Sequence, residues 1–361
     1  MAKQKFTNRN GVTFVTTDRM YPMAIAALNT LKEQTVKGIS IHKVNFKRFP
    51  CGEMKPKITE NVRHKDIFLF FDFNGQPNDD VVNLMLTIDA LHLADAKRIT
   101  LVLPYMPYLR QDRKDEPRTP VSAAWFIRAL QLCRSVSRVI TIDMHSEQLQ
   151  AVFTIPTDHL PGRMLFAPWA KKQFNGNFEN LVAVAPDFGS AKRVRKLAAD
   201  IDSTVQVAIL EKNRDAEGVK MYSIIGASIK GKTCLINDDM MDTCGTIILA
   251  AMTLFEHGAN KVVLSATHPI FSPTQEFVID EETGEKIIDE ETAEPIMKTS
   301  TAYDKLAEAG VEVLVSDSLV TEKYDWLEVL PLGELIGLTI LQNITSDGSV
   351  SKLIRQGLPD L

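Results

Sequence analysis

The amino-acid sequence predicts an α/β fold with two tandem domains, each a mainly parallel, doubly wound sheet. Three observations carry this. Short apolar runs alternate with amphipathic stretches along nearly the whole chain, the pattern of parallel strands covered by helices. A weak internal echo relates Leu86–Leu103 to Leu249–Ala266: each is a helical stretch, an Ala-Lys-Arg or Ala-Asn-Lys turn, and an apolar strand. Pro156, Pro161 and Pro168 then cluster where regular structure is interrupted, which places a boundary near residues 156–166 and the domains at 1–160 and 161–361.

The elements follow in order. Apolar, β-branched runs predict strands at Val12–Thr16, Ile67–Phe71, Ile99–Leu103, Val139–Ile142, Val182–Ala185, Val205–Leu210, Thr233–Asn237, Val262–Ala266 and Val311–Val315. Helical spacing predicts helices at Pro22–Lys32, Asp79–Ala94, Ser122–Cys133, Ser190–Asp200, Thr246–His257 and Leu332–Asn343. Glu276–Asp289 differs: two β-prone runs flank Glu-Glu-Thr-Gly, which suggests a hairpin on an acidic surface excursion.

Composition narrows the classes of function. The chain has 361 residues, 45% of them hydrophobic, enough for two full cores. A net charge of −5 argues against nucleic-acid binding, which needs a basic face. Cys51, Cys133, Cys234 and Cys244 form no Cys-x-x-Cys, so neither a zinc site nor a disulfide framework is expected, and reduced cytoplasm is the natural compartment. The first residues are polar, not a signal core, and no apolar run approaches the roughly 20 residues of a membrane helix.

Chemistry concentrates at strand ends. Asp238-Asp239-Met240-Met241-Asp242-Thr243-Cys244-Gly245-Thr246 follows the Thr233–Asn237 strand and precedes a helix. The N–H groups of Thr243, Cys244, Gly245 and Thr246 can surround a phosphate where the helix dipole favours negative charge. Asp238, Asp239 and Asp242 can hold sugar hydroxyls or a metal beside it. An acidic capping turn without a ligand is the plain alternative, but three carboxylates plus Thr-x-Gly-Thr favour a receptor for a phosphorylated sugar. Arg110-Gln111-Asp112-Arg113-Lys114 follows another strand and reads equally as a polyphosphate-binding run or a solvated loop. Asp143-Met144-His145 and Asp187-Phe188-Gly189-Ser190 also follow strands, where open α/β sheets bind ligands. Lys212-Asn213-Arg214 ends the Val205–Leu210 strand and is expected on a mobile flap.

Taken in order, these motifs resemble the phosphoribosyl-pyrophosphate synthetase (ribose-phosphate diphosphokinase) family. The series runs Phe49-Pro50-Cys51-Gly52-Glu53, Glu60-Asn61-Val62-Arg63, Pro77-Asn78-Asp79, Arg110–Lys114, Asp143-Met144-His145 and Ile155-Pro156-Thr157-Asp158. It continues with Pro186-Asp187-Phe188-Gly189, Lys212-Asn213-Arg214, Asp238–Thr246 and Thr267-His268-Pro269. The resemblance implies two phosphoribosyltransferase-like domains. It also implies transfer of the β,γ-diphosphoryl group of ATP to the anomeric hydroxyl of ribose 5-phosphate, with Mg²⁺ as cofactor. By that resemblance Phe49 and Glu53 contact the adenine side, and Arg110, Gln111, Asp112 and Lys114 hold ATP. His145 and Asp187, with Asp143, orient Mg²⁺. Asp238, Asp239 and Asp242 take the ribose hydroxyls, Thr243–Thr246 the 5-phosphate, and Lys212 and Arg214 close over the transferring group. ATP and a ribose-phosphate acceptor are the implied partners, with a homo-oligomer, dimer to hexamer, as the assembly.

The departures surround this machinery. Cys51 stands where the family has Asp or Asn, and Gly189-Ser190 replaces a Gly-Gly pair. Thr154 stands for Asp, Phe71-Asp72-Phe73-Asn74-Gly75 for a Gln-Ser-Thr stretch, His64 for Gly, and Asn213 for Arg. The excursion from Glu276 to about Lys305 has no counterpart in the typical enzyme. A larger 5-substituted acceptor such as ADP-ribose is therefore kept as an alternative, and a silent regulatory relative as a second. A simple phosphoribosyltransferase would not need Arg110–Lys114, His145 or the Lys212/Arg214 pair.

Overall fold

The computed structural model describes residues 11–74, 76–214, 220–278, 286–287 and 295–358, apart from the side chains of residues 212–214, 220–222, 276 and 277. The chain divides into two compact units. The first comprises Met1–Pro168, Ser316–Thr321 and Leu330–Leu361, and the second Trp169–Val315 and Glu322–Val329. The C-terminal segment thus returns to the first unit, unlike a single division at residue 160.

The first unit is built on strands β1 (Thr13–Thr16), β2 (Ser40–Arg48), β3 (Met54–Ile58), β4 (Asp66–Phe70), β5 (Arg98–Val102), β6 (Val136–Ile142) and β7 (Thr157–Leu160). They lie in the order β3-β2-β1-β4-β5-β6-β7, parallel except for β3. Helices α1 (Tyr21–Glu33), α2 (Pro77–Leu93) and α3 (Ser122–Leu130) connect them. The run Ile67–Phe71 is apolar throughout because both faces of its strand are covered: Ile67, Leu69 and Phe71 enter one core, Phe68 and Phe70 the other.

The second sheet uses β8 (Leu181–Ala185), β9 (Gln206–Arg214), β10 (Lys220–Gly226), β11 (Thr233–Met241), β12 (Lys261–Pro269), β15 (Glu312–Ser316) and β16 (Leu327–Leu330). Its order is β10-β9-β8-β11-β12-β15-β16, which repeats the first sheet strand for strand. The sequence echo falls on the equivalent pairs: α2 with β5, and α6 (Gly245–Glu256) with β12. α5 (Ala191–Ile201) follows β8. Further elements are α4 (Arg163–Phe174), α7 (Ala302–Ala309), and a separate two-stranded sheet of β13 (Thr274–Phe277) and β14 (Met297–Ser300).

Several expectations need correction. α4 runs through Pro168, where a break was expected; Pro168 is its sixth residue, so the helix bonds it removes lie near the first turn. β2 and β3 went unforeseen because their charged, Lys-rich sequence hides the alternation of a sheet edge. β11 continues through Asp238–Met241, with Asp238 opposite Ala266 and Met240 opposite His268, so the first four residues of the expected loop are strand. β9 likewise continues to Arg214: Lys212 pairs with Tyr222 and Arg214 with Lys220, as one arm of an antiparallel hairpin. Residues 215–219 and the Glu-Glu-Thr-Gly turn lie outside the described residues. In the excursion β13 pairs with β14, from Thr274 opposite Ser300 to Phe277 opposite Met297, and the N–H of Ile287 donates to the Val278 carbonyl at 2.9 Å.

The last 30 residues hold the first unit together. α8 (Gly333–Ile344) lies on α1, and its two glycines are the contact. A Cβ on Gly333 would come 2.3 Å from Cβ of Ala26, and one on Gly337 2.8 Å from the carbonyl oxygen of Ala27. Asn343 donates to Asp158 on β7 at 2.8 Å, and Asp158 also receives Arg138 at 2.9 Å. Asp317 accepts the N–H of Leu332 at 2.8 Å just before α8 begins, and burial pushes its carboxyl up to about 6.

Two predictions follow from this packing. Gly337→Val forces a side chain against backbone that cannot move away, so it should destabilise the protein by about 2 kcal/mol, read as a lower Tm. The raised carboxyl of Asp317 means the folded state holds a proton that the unfolded chain releases above about pH 4. Stability should therefore fall as pH rises from about 4 to about 6, by roughly 3 kcal/mol from this group. Asp317→Asn should match the parent below pH 4 and exceed it at pH 7 in urea titrations.

Candidate functional site

In both units the chemistry-bearing residues lie where parallel strands end. In the second unit, β11 is flanked by β8 and β12, both parallel to it. Its C-terminal end carries Asp238 half-buried and Asp239 4% exposed. Two neighbouring carboxylates there would repel, and Arg193 of α5 resolves this. Its Nη1 lies 3.0 Å from Oδ1 of Asp238 and 3.0 Å from Oδ1 of Asp239. The N–H of Asp239 also donates to Oδ1 of Asp238 at 2.9 Å. Burial and the Asp239 charge still raise the Asp238 carboxyl well above the usual range, with Arg193 opposing. In the sequence Arg193 is one of four cations, with Lys192, Arg195 and Lys196, in the stretch after Ser190. Its signal was its position three residues into the helix that follows Asp187.

Asp242-Thr243-Cys244 then turns the chain into α6. Cys244 is the residue before the helix and adopts φ 62°, a left-handed conformation uncommon without glycine. The side chain of Cys244 makes no capping hydrogen bond to the α6 N-terminus. Thr243, Gly245 and Thr246 are exposed, and a Cβ placed on Gly245 would meet nothing within 4 Å. The first-turn N–H groups thus open onto clear space with the positive end of the helix dipole behind them, the arrangement that binds phosphate. Cys244 faces the other way. It is buried, its Sγ reaches the Asp242 carbonyl at 3.7 Å, and burial with the Asp242 charge pushes its thiol up to about 12, so it is no nucleophile.

Asp187 is exposed at the end of β8. Its Oδ1 accepts both the N–H and the hydroxyl of Ser190, each at 2.9 Å, which fixes the carboxylate at the start of α5. The Ser190 that replaces a second glycine is itself buried in this turn. Lys212 and Arg214 occupy alternate positions of the β9 arm, opposite Tyr222 and Lys220.

In the first unit, β5 and β6 are neighbouring parallel strands, and their following loops carry two motifs to one edge of the sheet. Met106 and Leu109, both buried, anchor the loop that presents Arg110–Lys114. Tyr108 packs edge-on to Trp125 at 6.0 Å and donates its hydroxyl to Asn78. Gln111 is tied to α3 by its carbonyl, from Ala123 at 3.2 Å, and by its side chain, from Ser122 at 2.6 Å. Arg110 and Lys114 are exposed, and Asp112 is half-exposed. After β6, Asp143 is buried at φ 38° and its N–H bonds Leu160 at 2.9 Å. His145, two residues on, is exposed. Phe49 and Glu53 close the β2–β3 hairpin, where the N–H of Phe49 donates to the Glu53 carbonyl at 2.8 Å. This hairpin occupies the place in the first sheet that the Lys212/Arg214 hairpin occupies in the second. Among the described residues no three His, Cys, Asp or Glu side chains converge as a metal cage, and no helix is long and apolar enough to cross a membrane.

The fold and these strand-end sites define a protein of two phosphoribosyltransferase-like α/β units. Residues 23–133 match the N-terminal domain of ribose phosphate pyrophosphokinase, and residues 157–290 a phosphoribosyl transferase domain. The ribose-phosphate pyrophosphokinase of Bacillus caldolyticus is 39% identical over 237 residues, which cover 66% of this chain and 73% of that protein. The Burkholderia pseudomallei enzyme of the same name is 39% identical over 246 residues, 67% of this chain and 75% of its own. The crystal structure of phosphoribosylpyrophosphate synthetase from Mycobacterium smegmatis superposes with a TM-score of 0.75 at 28% identity, covering 92% of this chain and 98% of that one. The chain belongs to the ribose-phosphate pyrophosphokinase family of transferases.

Removing Arg193 leaves two adjacent carboxylates without their shared cation. Arg193→Ala should cost about 2 kcal/mol, less than a fully buried pair because Asp238 is partly exposed. Urea unfolding should show the loss, and it should shrink when Asp238→Asn is added.

Proposed function

We propose that this chain catalyses Mg²⁺-dependent transfer of the β,γ-diphosphoryl group of ATP to the anomeric hydroxyl of ribose 5-phosphate, giving phosphoribosyl pyrophosphate and AMP. The observation that carries the reading is the end of β11: two carboxylates braced by Arg193, followed by a helix N-terminus open beside Gly245. Carboxylates suit the 2- and 3-hydroxyls of a ribose, and the N–H cradle of Thr243–Thr246 suits its 5-phosphate. Family membership supports the same assignment.

In this reading the anomeric oxygen attacks the β-phosphorus of ATP. The bond from that phosphorus to the oxygen bridging the α-phosphate breaks, AMP leaves with that oxygen, and the hydroxyl proton passes to solvent. Such transfers depend on positioning and on neutralising charge as it builds on the phosphoryl oxygens. Asp238, Asp239 and Asp242 orient the ribose. Arg110, Gln111, Asp112 and Lys114 hold the triphosphate, with Phe49 and Glu53 at the adenine. Lys212 and Arg214, at alternate positions of the β9 arm, bring two cations to the transferring group. Mg²⁺ supplies charge neutralisation between phosphate oxygens when bound. By the family resemblance His145, Asp187 and Asp143 would be its protein ligands, and Mg²⁺ in phosphate sites keeps waters and substrate oxygens as the rest. Assembly as a homo-oligomer, dimer to hexamer, belongs to the same proposal.

AMP release from ATP, ribose 5-phosphate and Mg²⁺, with the product identified by mass, tests the reading; no AMP would overturn it. Lys212→Ala should lower kcat by about 100-fold or more, as loss of a transition-state cation does, while ATP affinity by calorimetry stays within about twofold. Equal losses in both would remove Lys212 from the transfer step.

A further inference from the structure

The chain after β12 does not leave the phosphate loop. The N–H groups of Ile270 and Phe271 both donate to the carbonyl of Met241, at 2.8 and 3.0 Å, one residue before Asp242. Phe271 sits there in a left-handed turn at φ 49° with its ring buried. From that ring a ladder of aromatic side chains runs outward. Phe271 meets Tyr303 edge-on at 4.9 Å, Tyr303 meets Tyr324 at 5.2 Å, and Tyr324 stacks on Trp326 at 4.9 Å with only 17° between planes. Tyr324 is 39% exposed, so the ladder ends with an aromatic ring in solvent.

The ladder is fixed before anything binds. The Tyr324 hydroxyl donates to Glu322 at 2.7 Å, and the Glu322 N–H donates to the Tyr303 hydroxyl at 3.2 Å. Tyr303 and Trp326 pack against the core of the second unit. Lys305, on the same helix as Tyr303, donates to the Thr274 hydroxyl at 2.8 Å, three residues after Phe271. The loop itself stays open on the side of Thr243, Gly245 and Thr246.

A ribose 5-phosphate alone needs nothing beyond the loop. A second phosphate would need a cation beside the first, and a base would need a flat, preorganised aromatic surface a little further out. Lys305 and the Tyr303–Tyr324 pair, tethered to the loop through Phe271, offer those two features. We propose that the acceptor site extends past the 5-phosphate and takes ribose 5-phosphate groups joined through a second phosphate to a nucleoside. This rests on the diphosphoryl-transfer reading above and names the substrate class of that site.

ADP-ribose is the probe. AMP release from ATP would be followed with ribose 5-phosphate and with ADP-ribose, for the parent protein, Tyr324→Ala, Tyr324→Phe and Lys305→Gln. The expected result is turnover of ADP-ribose, with Tyr324→Ala raising the ratio of KM for ADP-ribose to KM for ribose 5-phosphate about tenfold, the scale of one lost base stack. Tyr324→Phe should restore the ratio, and Lys305→Gln should raise it. Turnover of ribose 5-phosphate but not ADP-ribose overturns the extended site and leaves the transfer reading standing. Turnover of neither overturns the transfer reading itself. An equal rise in both KM values for Tyr324→Ala assigns the ladder a purely structural role and also overturns the proposal.

Discussion

Arg193 bridging Asp238 and Asp239 is the interaction on which the candidate site depends. A parallel strand buried between two neighbours delivers consecutive side chains to the sheet's edge, and β11 delivers two carboxylates there. Without a cation, their repulsion and the loss of water would neutralise one of them or fray the strand end. Arg193 comes from α5, the helix that follows β8, so the brace ties together two adjacent crossover units. Its position is set by Asp187, whose carboxylate fixes the turn at the start of the same helix. Phosphate cradle, sugar-binding carboxylates and brace are thus one construction at the ends of β8 and β11.

The repetition of the fold makes the division of labour visible. Both units use the same strand order. At the end of β11 the second unit has paired carboxylates and an open helix N-terminus. At the end of β4, the equivalent strand, the first unit has Asp72, which accepts from Thr17 at 2.6 Å and lies 3.4 Å from Arg19. Its charged run and the Asp143–His145 pair sit instead after β5 and β6. The edge hairpins differ in the same way, with Phe49 and Glu53 closing the turn of one and Lys212 and Arg214 on an arm of the other. One architecture therefore offers different chemistry at corresponding places, because the residues after each strand are little constrained by the packing of the sheet.

Much of this was legible in the sequence because it is local. Buried parallel strands are continuous apolar runs, and those of β1, β4, β8 and β12 stand in the sequence nearly as they stand in the fold. The phosphate loop was legible because its turn, small residues and helix start are contiguous. The end of β11 was misread because acidic residues do not look like strand, whereas ladder partners on β12 hold them in one. The Lys212/Arg214 arm was misread for the same reason: an edge hairpin is maintained by its partner strand, and hydrophobic pattern carries little of that.

By itself the sequence determined the α/β class, the two-fold repetition and the strand ends where charge and small residues gather, because each depends on neighbours within a few residues. Tertiary structure alone decided three things. It joined α8 to α1 through Gly333 and Gly337, across some 300 residues, where only absent side chains allow the helices to touch. It set Arg193 between two carboxylates 45 and 46 positions further along. And it carried Phe271, Tyr303, Tyr324 and Trp326 into one ladder beside the phosphate loop. Such contacts join residues that no local spacing relates, and only the packing of strands and helices brings them within reach.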